Sequence, residues 1–518
     1  MIKFGTGGWR AVIAEGFTFE NVRRVAQGLS NMIIAEGAQK RVIVAHDLRF
    51  LSGRFSRAFA EVLTENEIEA LFIEEAVPTP MVMYGVLSEG LDYGITVTAS
   101  HNPPEYNGIK LFVEEGKDAP QEVTDRLEKY IAEISYEPVK HGEFFSLIRQ
   151  GKIKYYTNKN SYINFLLEQV DVEAISEKNL QILFNPMYGV SRDIMMICLA
   201  SMRCSVDTIN DYRDTMFGTQ MPSPIQSSLQ DMEYQIKNED YHLGIATDGD
   251  SDRLGLYDDR GEFVDANEIL ILLYYYFLEY RGEKGGVVRN LTTTHILDRI
   301  AEAYGEKHFE VPVGFKNISA KMEEEDLLFG GESSGGLKLR GKINGKDGIQ
   351  AALFSVEMLA KTGKTLSELL DEIHDKFGYL KFHGINIPYQ EEDKRRLYNL
   401  LFKEKYVPNF EELAAAEIIK SDLEKEIKKG LNNAQQAELD TELAKLDLGK
   451  MYLKKGLKEV SYLDGVKFYF KDGTWLSIRF SGTEPLIRIF MEMNNQAEID
   501  AVIKLIKEDE KLKLDGEL

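Results

Sequence analysis

The chain is poor in cysteine, in long apolar runs and in positive charge, and each shortage removes a class of function. Cys198 and Cys204 are the only two cysteines in 518 residues. They have neither metal-ligand nor redox spacing and lie in an apolar stretch, so the expectation is buried thiols in a reducing compartment. The longest apolar run, Ile269 to Leu278, is too short to cross a bilayer. Lys and Arg number 62 against 85 Asp and Glu, a net charge of −23. That balance argues against non-specific nucleic-acid binding and against docking on an anionic membrane. The start, Met1-Ile2-Lys3-Phe4-Gly5, reads as part of the fold and leaves no room for a signal peptide. A soluble, cytoplasmic protein is expected.

The length exceeds one ordinary domain and suggests three or four, and 43% hydrophobic residues can fill several cores. Short apolar strands alternate with amphipathic helical patterns, which implies α/β layers. Arg41-Val42-Ile43-Val44-Ala45 reads as a strand, Ser52 to Glu65 as a helix capped by its serine, and Glu69 to Ile73 as the next strand. A second round contains Leu180 to Phe184, Val206 to Ile209 and Leu243 to Ala246. A third carries a helix from Asn267 to Leu278. It closes with one from Leu366 to Phe377, where Thr365 and Glu368 have capping-box spacing.

The richest stretch is Thr98-Ala99-Ser100-His101-Asn102-Pro103-Pro104. Tyr93 to Thr98 before it reads as a buried strand, and the two prolines after it can continue neither ladder nor helix. Ser100 therefore stands in a loop at a strand's C-terminal edge, where open α/β sheets place their chemistry. A capped turn is the plain alternative.

Thr247-Asp248-Gly249-Asp250-Ser251-Asp252-Arg253 follows an apolar strand. Alternate residues of an extended strand stand roughly 6.6 Å apart, too far for oxygens sharing one small cation. The loop must curl, which Gly249 permits, and its three carboxylates can then converge on a hard cation. An EF-hand is excluded, because Arg253 and Asp259 stand where its glycine and closing glutamate belong. A solvated acidic turn is the plain alternative here.

Gly330-Gly331-Glu332-Ser333-Ser334-Gly335-Gly336 offers short polar groups on an open backbone, suited to a polyhydroxylated ligand. Arg479-Phe480-Ser481-Gly482-Thr483-Glu484-Pro485-Leu486-Ile487-Arg488 joins two strand-like runs. Its guanidinium groups, hydroxyls and glycine suit a phosphate cradle. A flexible turn and a hairpin with surface arginines are the respective alternatives.

These four segments, in this order, resemble the α-D-phosphohexomutase superfamily, and most closely its phosphoglucomutase/phosphomannomutase family. That family carries a phosphoserine loop T-A-S-H-N-P, a metal loop D-G-D-x-D-R, a sugar loop G-E-x-S-G and a phosphate loop R-x-S-G-T-E-P. Further matches are Gly5-Thr6-Gly7-Gly8-Trp9-Arg10, Asp47-Leu48-Arg49, Asn107-Gly108-Ile109-Lys110, Val313-Gly314-Phe315-Lys316 and Lys346-Asp347-Gly348. Asn185-Pro186-Met187-Tyr188-Gly189 is similar to the family's D-P-M-H-G turn, with two substitutions. The resemblance implies three similar α/β mixed-sheet domains and a smaller α+β C-terminal domain around a central cleft. The boundaries fall at about 1–150, 151–258, 259–377 and 378–518.

It also implies an isomerase that moves a phosphoryl group within a hexose phosphate. Ser100 is expected to work as phosphoserine, with Mg²⁺ held by Asp248, Asp250, Asp252 and an oxygen on Ser100. His101 and Lys110 are candidates for acid–base work or charge stabilisation. Arg10 matches the N-terminal active-site arginine, and Arg253 is placed to hold the phosphoserine. Glu332 and Ser334 would bind sugar hydroxyls, beside Lys316. Arg479, Ser481, Gly482, Thr483 and Arg488 would grip the phosphate that is not reacting. Small hexose phosphates are the expected partners, and glucose 1,6-bisphosphate the expected activator.

Lys316 resembles phosphoglucomutases more than the histidine-bearing mannose enzymes, which favours α-D-glucose 1-phosphate and glucose 6-phosphate. Mannose phosphates or dual specificity are the alternative, and a metal-dependent sugar phosphatase or an inactive sugar-phosphate sensor the more distant ones. From about 404 to 455 the chain is rich in Glu, Lys, Ala and Leu, with Leu439, Leu443 and Leu446 at helical spacing. We read a helical insertion there, either a solvated hairpin or a self-association surface.

Overall fold

The computed structural model describes residues 2–5, 7–135, 137–341, 343–389, 455–481 and 486–508. The chain divides into two compact units. One comprises the chain up to Val288, with Ile300–His308 and Gly314–His374; the other comprises Arg289–Arg299, Phe309–Val313 and the chain from Asp375. The expected insertion lies, except for Lys455, outside the described residues.

In the first unit, a sheet orders its strands Trp9–Val12, Tyr106–Val113, Tyr93–Val97, Arg41–His46, Glu69–Phe72 and Ile153–Tyr155, with Lys117–Asp118 on the side of the second. Arg41–His46 runs parallel to Glu69–Phe72 and to Tyr93–Val97, while Tyr106–Val113 returns antiparallel to Tyr93–Val97. Tyr93–Val97 is buried at every position, as a strand covered on both faces must be. The parallel core strands deliver their C-terminal ends to one edge, and Ser100 follows there. This sheet reaches Tyr155, beyond the boundary expected at 150.

Ser52–Glu65 is a helix, but Ser52 does not cap it. Leu51, in a left-handed conformation, occupies the N-cap without a side-chain bond. The Ser52 hydroxyl instead donates to Asp47 Oδ1 at 2.6 Å.

A second sheet orders Phe263–Val264, Leu254–Tyr257, Leu243–Thr247, Gln181–Asn185 and Ser205–Thr208. Leu243–Thr247 and Leu254–Tyr257 form an antiparallel pair with Thr247 opposite Leu254, so residues 248–253 are a hairpin loop closed at its base. Further along, Phe329–Gly331 pairs antiparallel with Leu337–Leu339 and places the Glu332 turn at a strand end. Backbone bonds from Leu328 N–H to Gly286 O and from Val287 N–H to Lys307 O extend this layer. The helix Leu366–Phe377 starts with the reciprocal pair expected of it: Thr365 N–H donates to Glu368, and Glu368 N–H to Thr365 Oγ1.

The second unit is built on an antiparallel sheet with the order Lys381–Pro388, Leu486–Met493, Trp475–Phe480, Val466–Phe470 and Leu457–Ser461. The helix Gln496–Glu508 follows, and Ile387, Phe468, Leu476, Ile489, Met491 and Val502 are among its core residues. This unit also buries charge. Arg289 forks onto Asp298 and donates to Glu310, while Lys467 Nζ donates to Glu310 at 2.7 Å and to Leu291 O at 2.6 Å. The Lys467 ammonium lies 4.1 Å from the centroid of the fully buried Trp475 ring. Among the described residues no helix is long and apolar enough to cross a membrane. Cys198 is buried and Cys204 half-buried; burial pushes the first thiol up to about 12 and the second to about 11.

Candidate active site

Ser100 and the acidic hairpin meet. Ser100 is buried and takes a left-handed backbone, φ 52°, rare for a residue with a Cβ. Its N–H donates to Thr98 Oγ1 at 2.9 Å, and its Oγ donates to Asp248 Oδ2 at 2.8 Å. Asp248 Oδ1 is occupied by its own loop, accepting the N–H groups of Asp252 at 2.9 Å and Arg253 at 3.0 Å. The carboxylate is therefore pre-aimed, with one oxygen fixing the turn and the other facing the serine.

The curl of this hairpin does not come from Gly249, as the sequence suggested. Ser251 takes the left-handed conformation, φ 68°. Gly249 serves close approach instead: a Cβ there would stand 2.8 Å from the Ser100 carbonyl oxygen. Only glycine lets the two loops touch.

Carboxylate oxygens of Asp248, Asp250 and Asp252 all lie within 4.8 Å of one another, and the three residues are buried. Lys110 Nζ stands 2.6 Å from Asp250 Oδ2 and 2.6 Å from Asp252 Oδ2. Asp250 Oδ2 also accepts from Thr79 Oγ1 at 2.6 Å, and Lys346 Nζ lies 3.4 Å from Asp252 Oδ2. The remaining oxygens, Asp250 Oδ1 and Asp252 Oδ1, are buried with no hydrogen-bond partner. Three converging carboxylates with two such oxygens fit a hard divalent cation, whose bonds would satisfy what the protein leaves unsatisfied.

Burial and the neighbouring carboxylates of Asp252 and Asp250 push the Asp248 carboxyl up. Against a burial that would raise it, Asp252 is held well below the usual carboxylate range by Lys110, Lys346 and Arg253. Lys110 is the mirror case: burial would lower it, but Asp250 and Asp252 hold it above its ordinary value, so it stays charged. His101 Nδ1 is 3.3 Å from Ser100 Oγ. Burial, then Arg253 and Arg10, keep this imidazole well below its ordinary value and hence neutral near pH 7. Arg10 donates to Asn102 Oδ1 in the same loop, and Arg253 Nε lies 3.9 Å from Asp252 Oδ1.

The Glu332 turn closes on itself, with Glu332 N–H donating to Gly336 O and Gly335 N–H to Glu332 O, both at 2.9 Å. Glu332 is buried and Ser334 exposed. A Cβ at Gly335 would stand 3.8 Å from the Arg253 Cβ, and one at Gly336 would strike the Lys346 side chain at 2.4 Å, so the turn packs on the acidic hairpin. Lys316, on the helix Phe315–Glu325, donates to Gln121 Oε1 at 2.6 Å. Lys346 also faces the Phe315 ring, 5.5 Å from its centroid.

Two participants escaped the sequence reading. Thr79 lies between two prolines and Lys346 opens the Lys346-Asp347-Gly348 match, and neither carries an expectation of meeting the aspartates. Nothing local marks either, since each meets the aspartates through the tertiary fold.

In the second unit, Arg479 and Arg488 sit directly opposite each other on neighbouring strands, and Ser481 N–H closes the turn on Leu486 O at 2.8 Å. Arg479 Nη2 lies 3.2 Å from Asp464 Oδ2. Two guanidinium groups on one face form a field suited to an anion. Gly482 and Thr483 lie outside the described residues.

Comparison with known proteins agrees along the chain. Models of the phosphoglucomutase/phosphomannomutase α/β/α domains I, II and III match residues 1–138, 160–261 and 265–377, and the C-terminal domain model of the same family matches 407–508. A phosphoglucomutase/phosphomannomutase of Thermococcus kodakarensis is 28% identical over 98% of both chains. A phosphoglucosamine/phosphogalactosamine mutase of Sulfurisphaera tokodaii is 24% identical over 97% of this chain and 98% of its own. A solved family protein from Burkholderia thailandensis shares the fold, with TM-score 0.74 and 21% identity over 98% of each chain. The serine that meets three buried aspartates thus stands in a chain matched by all four domain models, and this protein belongs to the phosphoglucomutase/phosphomannomutase family, as an isomerase of the phosphohexomutase type.

Proposed function

We propose that the protein interconverts α-D-glucose 1-phosphate and glucose 6-phosphate through a phosphoserine at Ser100 and a 1,6-bisphosphate intermediate. The observation that carries this reading is the Ser100 Oγ, 2.8 Å from Asp248 inside a cluster of three buried carboxylates. A serine so placed can pass its proton to a neighbouring acceptor and carry a phosphoryl group whose charge a cation offsets. Mg²⁺, held by Asp248, Asp250 and Asp252, would supply that neutralisation together with an oxygen on Ser100.

In the forward direction the Ser100 Oγ–P bond breaks as the sugar's 6-hydroxyl oxygen takes the phosphoryl group. The hydroxyl proton passes to neutral His101, 3.3 Å from Ser100 Oγ, which can return it to the departing serine oxygen. Lys110, 2.6 Å from both Asp250 and Asp252, is read as the group that offsets charge in the cluster and as the other candidate for moving the proton. After the bisphosphate turns end for end, its 1-phosphoryl group returns to Ser100 and glucose 6-phosphate leaves. Arg479, Ser481 and Arg488, with Gly482 and Thr483, are read as the grip on the idle phosphate, and Arg10 and Arg253 as the charges facing the transferred one. Phosphoryl transfer asks mainly for positioning and charge neutralisation, which this set supplies.

Glu332 and Ser334 are read as the sugar's hydroxyl partners, with Lys316 alongside. Lys346 packs against a turn that holds a single carboxylate, a charge balance that suits a neutral polyol better than an ammonium sugar. Relatives named for glucose, mannose and glucosamine phosphates make breadth the open point.

The test measures conversion of glucose, mannose and glucosamine 1-phosphates side by side, with Mg²⁺ and a trace of glucose 1,6-bisphosphate. Ser100→Ala is the control. Glucose turnover that vanishes in the variant supports the proposal. Preferred turnover of another sugar moves the substrate, and release of inorganic phosphate without isomer formation turns the reading to a phosphatase.

A further inference from the structure

Arg49 belongs to none of the groups that face the cation or substrate, yet its side chain is almost wholly buried and spends its donors on one loop. Nη2 donates to the carbonyls of Ser100 at 2.6 Å and Asn102 at 2.5 Å, and Nη1 to those of Pro103 at 2.8 Å and Tyr106 at 3.1 Å. Its Nε lies 3.5 Å from Asp47 Oδ2. Asp47 is itself fixed, for its Oδ1 accepts the Arg49 N–H at 2.9 Å and the Ser52 hydroxyl at 2.6 Å. The open face of the guanidinium is covered by the Phe217 ring, 4.9 Å from its centroid.

Burying an arginine is costly unless charge and hydrogen bonds compensate it. Here Asp47 faces the charge, and the hydrogen bonds are supplied by the backbone of the serine loop. That loop contains the left-handed Ser100, a conformation unfavourable for a residue with a Cβ that persists only when its surroundings impose it. A planar fork with five donors can hold four carbonyls at once, whereas an ammonium has three donors and no fixed plane.

We propose that Arg49, braced by Asp47 and covered by Phe217, is a positioning residue that locks the Ser100 loop in the backbone conformation aiming Oγ at the aspartate cluster. This rests on the reading of Ser100 as the phosphoryl carrier. Through Phe217, the lock also ties the serine loop to the stretch, matched by the second domain model, that contains the acidic hairpin.

The experiment uses full-length protein and compares Arg49→Lys, Arg49→Ala, Ser100→Ala and Leu63→Ala, with glucose 1-phosphate, glucose 1,6-bisphosphate and Mg²⁺. Leu63, on the helix Ser52–Glu65, is a buried core residue of the same domain and controls for lost stability. Arg49→Lys is expected to lower kcat on the order of 100-fold with little change in KM, as a slightly misplaced reacting group does. Its phosphoserine occupancy after incubation with bisphosphate, read by intact mass, should fall with kcat. Guanidinium ion added to Arg49→Ala should restore part of the rate, while doing nothing for Leu63→Ala. Leu63→Ala should melt earlier yet keep its kcat per folded molecule. An Arg49→Lys enzyme within about twofold of the parent in kcat, or losing rate only in proportion to its folded fraction, overturns the proposal. In that event an inactive Ser100→Ala leaves the proposed function standing. An active Ser100→Ala overturns both.

Discussion

Ser100 Oγ donates to Asp248 Oδ2 at 2.8 Å across 148 residues of sequence. The two groups come from loops of different sheets. Asp248 is held by the N–H groups of Asp252 and Arg253, Ser100 by Thr98. The hydroxyl–carboxylate bond therefore reports the meeting of two pre-set loops rather than creating either.

Replacing Asp248 with Asn tests the cation site apart from the fold. The amide oxygen can keep the loop N–H groups while the amide NH₂ donates to Ser100 Oγ, so melting should change little. The lost charge should weaken cation binding by at least about 10–100-fold, the scale reached even by supporting residues of metal sites. Mg²⁺ titration of activity and calorimetry of cation binding check this. Unchanged affinity would remove Asp248 from the ligand set.

Lys110 makes the opposite prediction, because it stands in for positive charge when no cation is bound. Its Nζ is 2.6 Å from both Asp250 and Asp252. Lys110→Met leaves three buried carboxylates without that ammonium, which should cost about 3–5 kcal/mol in chelator-treated protein. Adding Mg²⁺ should raise the Tm of the variant more than that of the parent, since the cation then offsets charge the lysine no longer covers. Equal shifts in the two proteins would show that lysine and cation answer different charges.

The sequence made the loops legible because each is a contiguous run whose chemistry is local: three alternating aspartates, a serine before two prolines, a glycine-rich turn. It also made the alternating strands and the Thr365–Glu368 box legible, for periodicity and capping act over a few residues. What it hid depends on distant partners. Ser52 has the look of an N-cap, but Asp47 draws its hydroxyl away. Gly249 looked like the hinge of the hairpin, whereas Ser251 bends it and Gly249 admits Ser100. Lys467 sits in a strand that reads as ordinary alternation, and nothing nearby announces that its ammonium is buried against Trp475.

That lysine predicts a pH dependence. Lys467 is 2% exposed, and burial, outweighing Glu310 and helped by Arg289, brings it down to about 8. The unfolded chain holds this proton up to about pH 10.4. Between those values the unfolded state binds more protons than the folded one, so this group's contribution to stability rises with pH. The gain is about 3 kcal/mol when complete. Urea unfolding of the parent and Lys467→Met, run across that window, should show the difference between them moving in the parent's favour as pH rises. A constant difference would mean that Lys467 keeps its proton in the fold.

Arg479 and Arg488 should give effects of opposite sign on stability and on function. They are directly opposed across neighbouring strands, a placement in which like charges destabilise by about 0.2–1 kcal/mol. Asp464, 3.2 Å from Arg479, offsets part of this. A sheet built only for stability would not put two guanidinium groups there; a site built for a dianion would. Arg488→Gln should therefore raise stability in anion-free, low-salt buffer by up to about 1 kcal/mol, with the gain fading as salt screens the pair. The same change should raise KM for the sugar phosphate and shrink the Tm increase that inorganic phosphate gives the parent. Loss of stability with KM unchanged would assign the arginines to the sheet itself. A firmer fold with a weaker grip on phosphate is the pairing expected of two charges placed to receive a dianion.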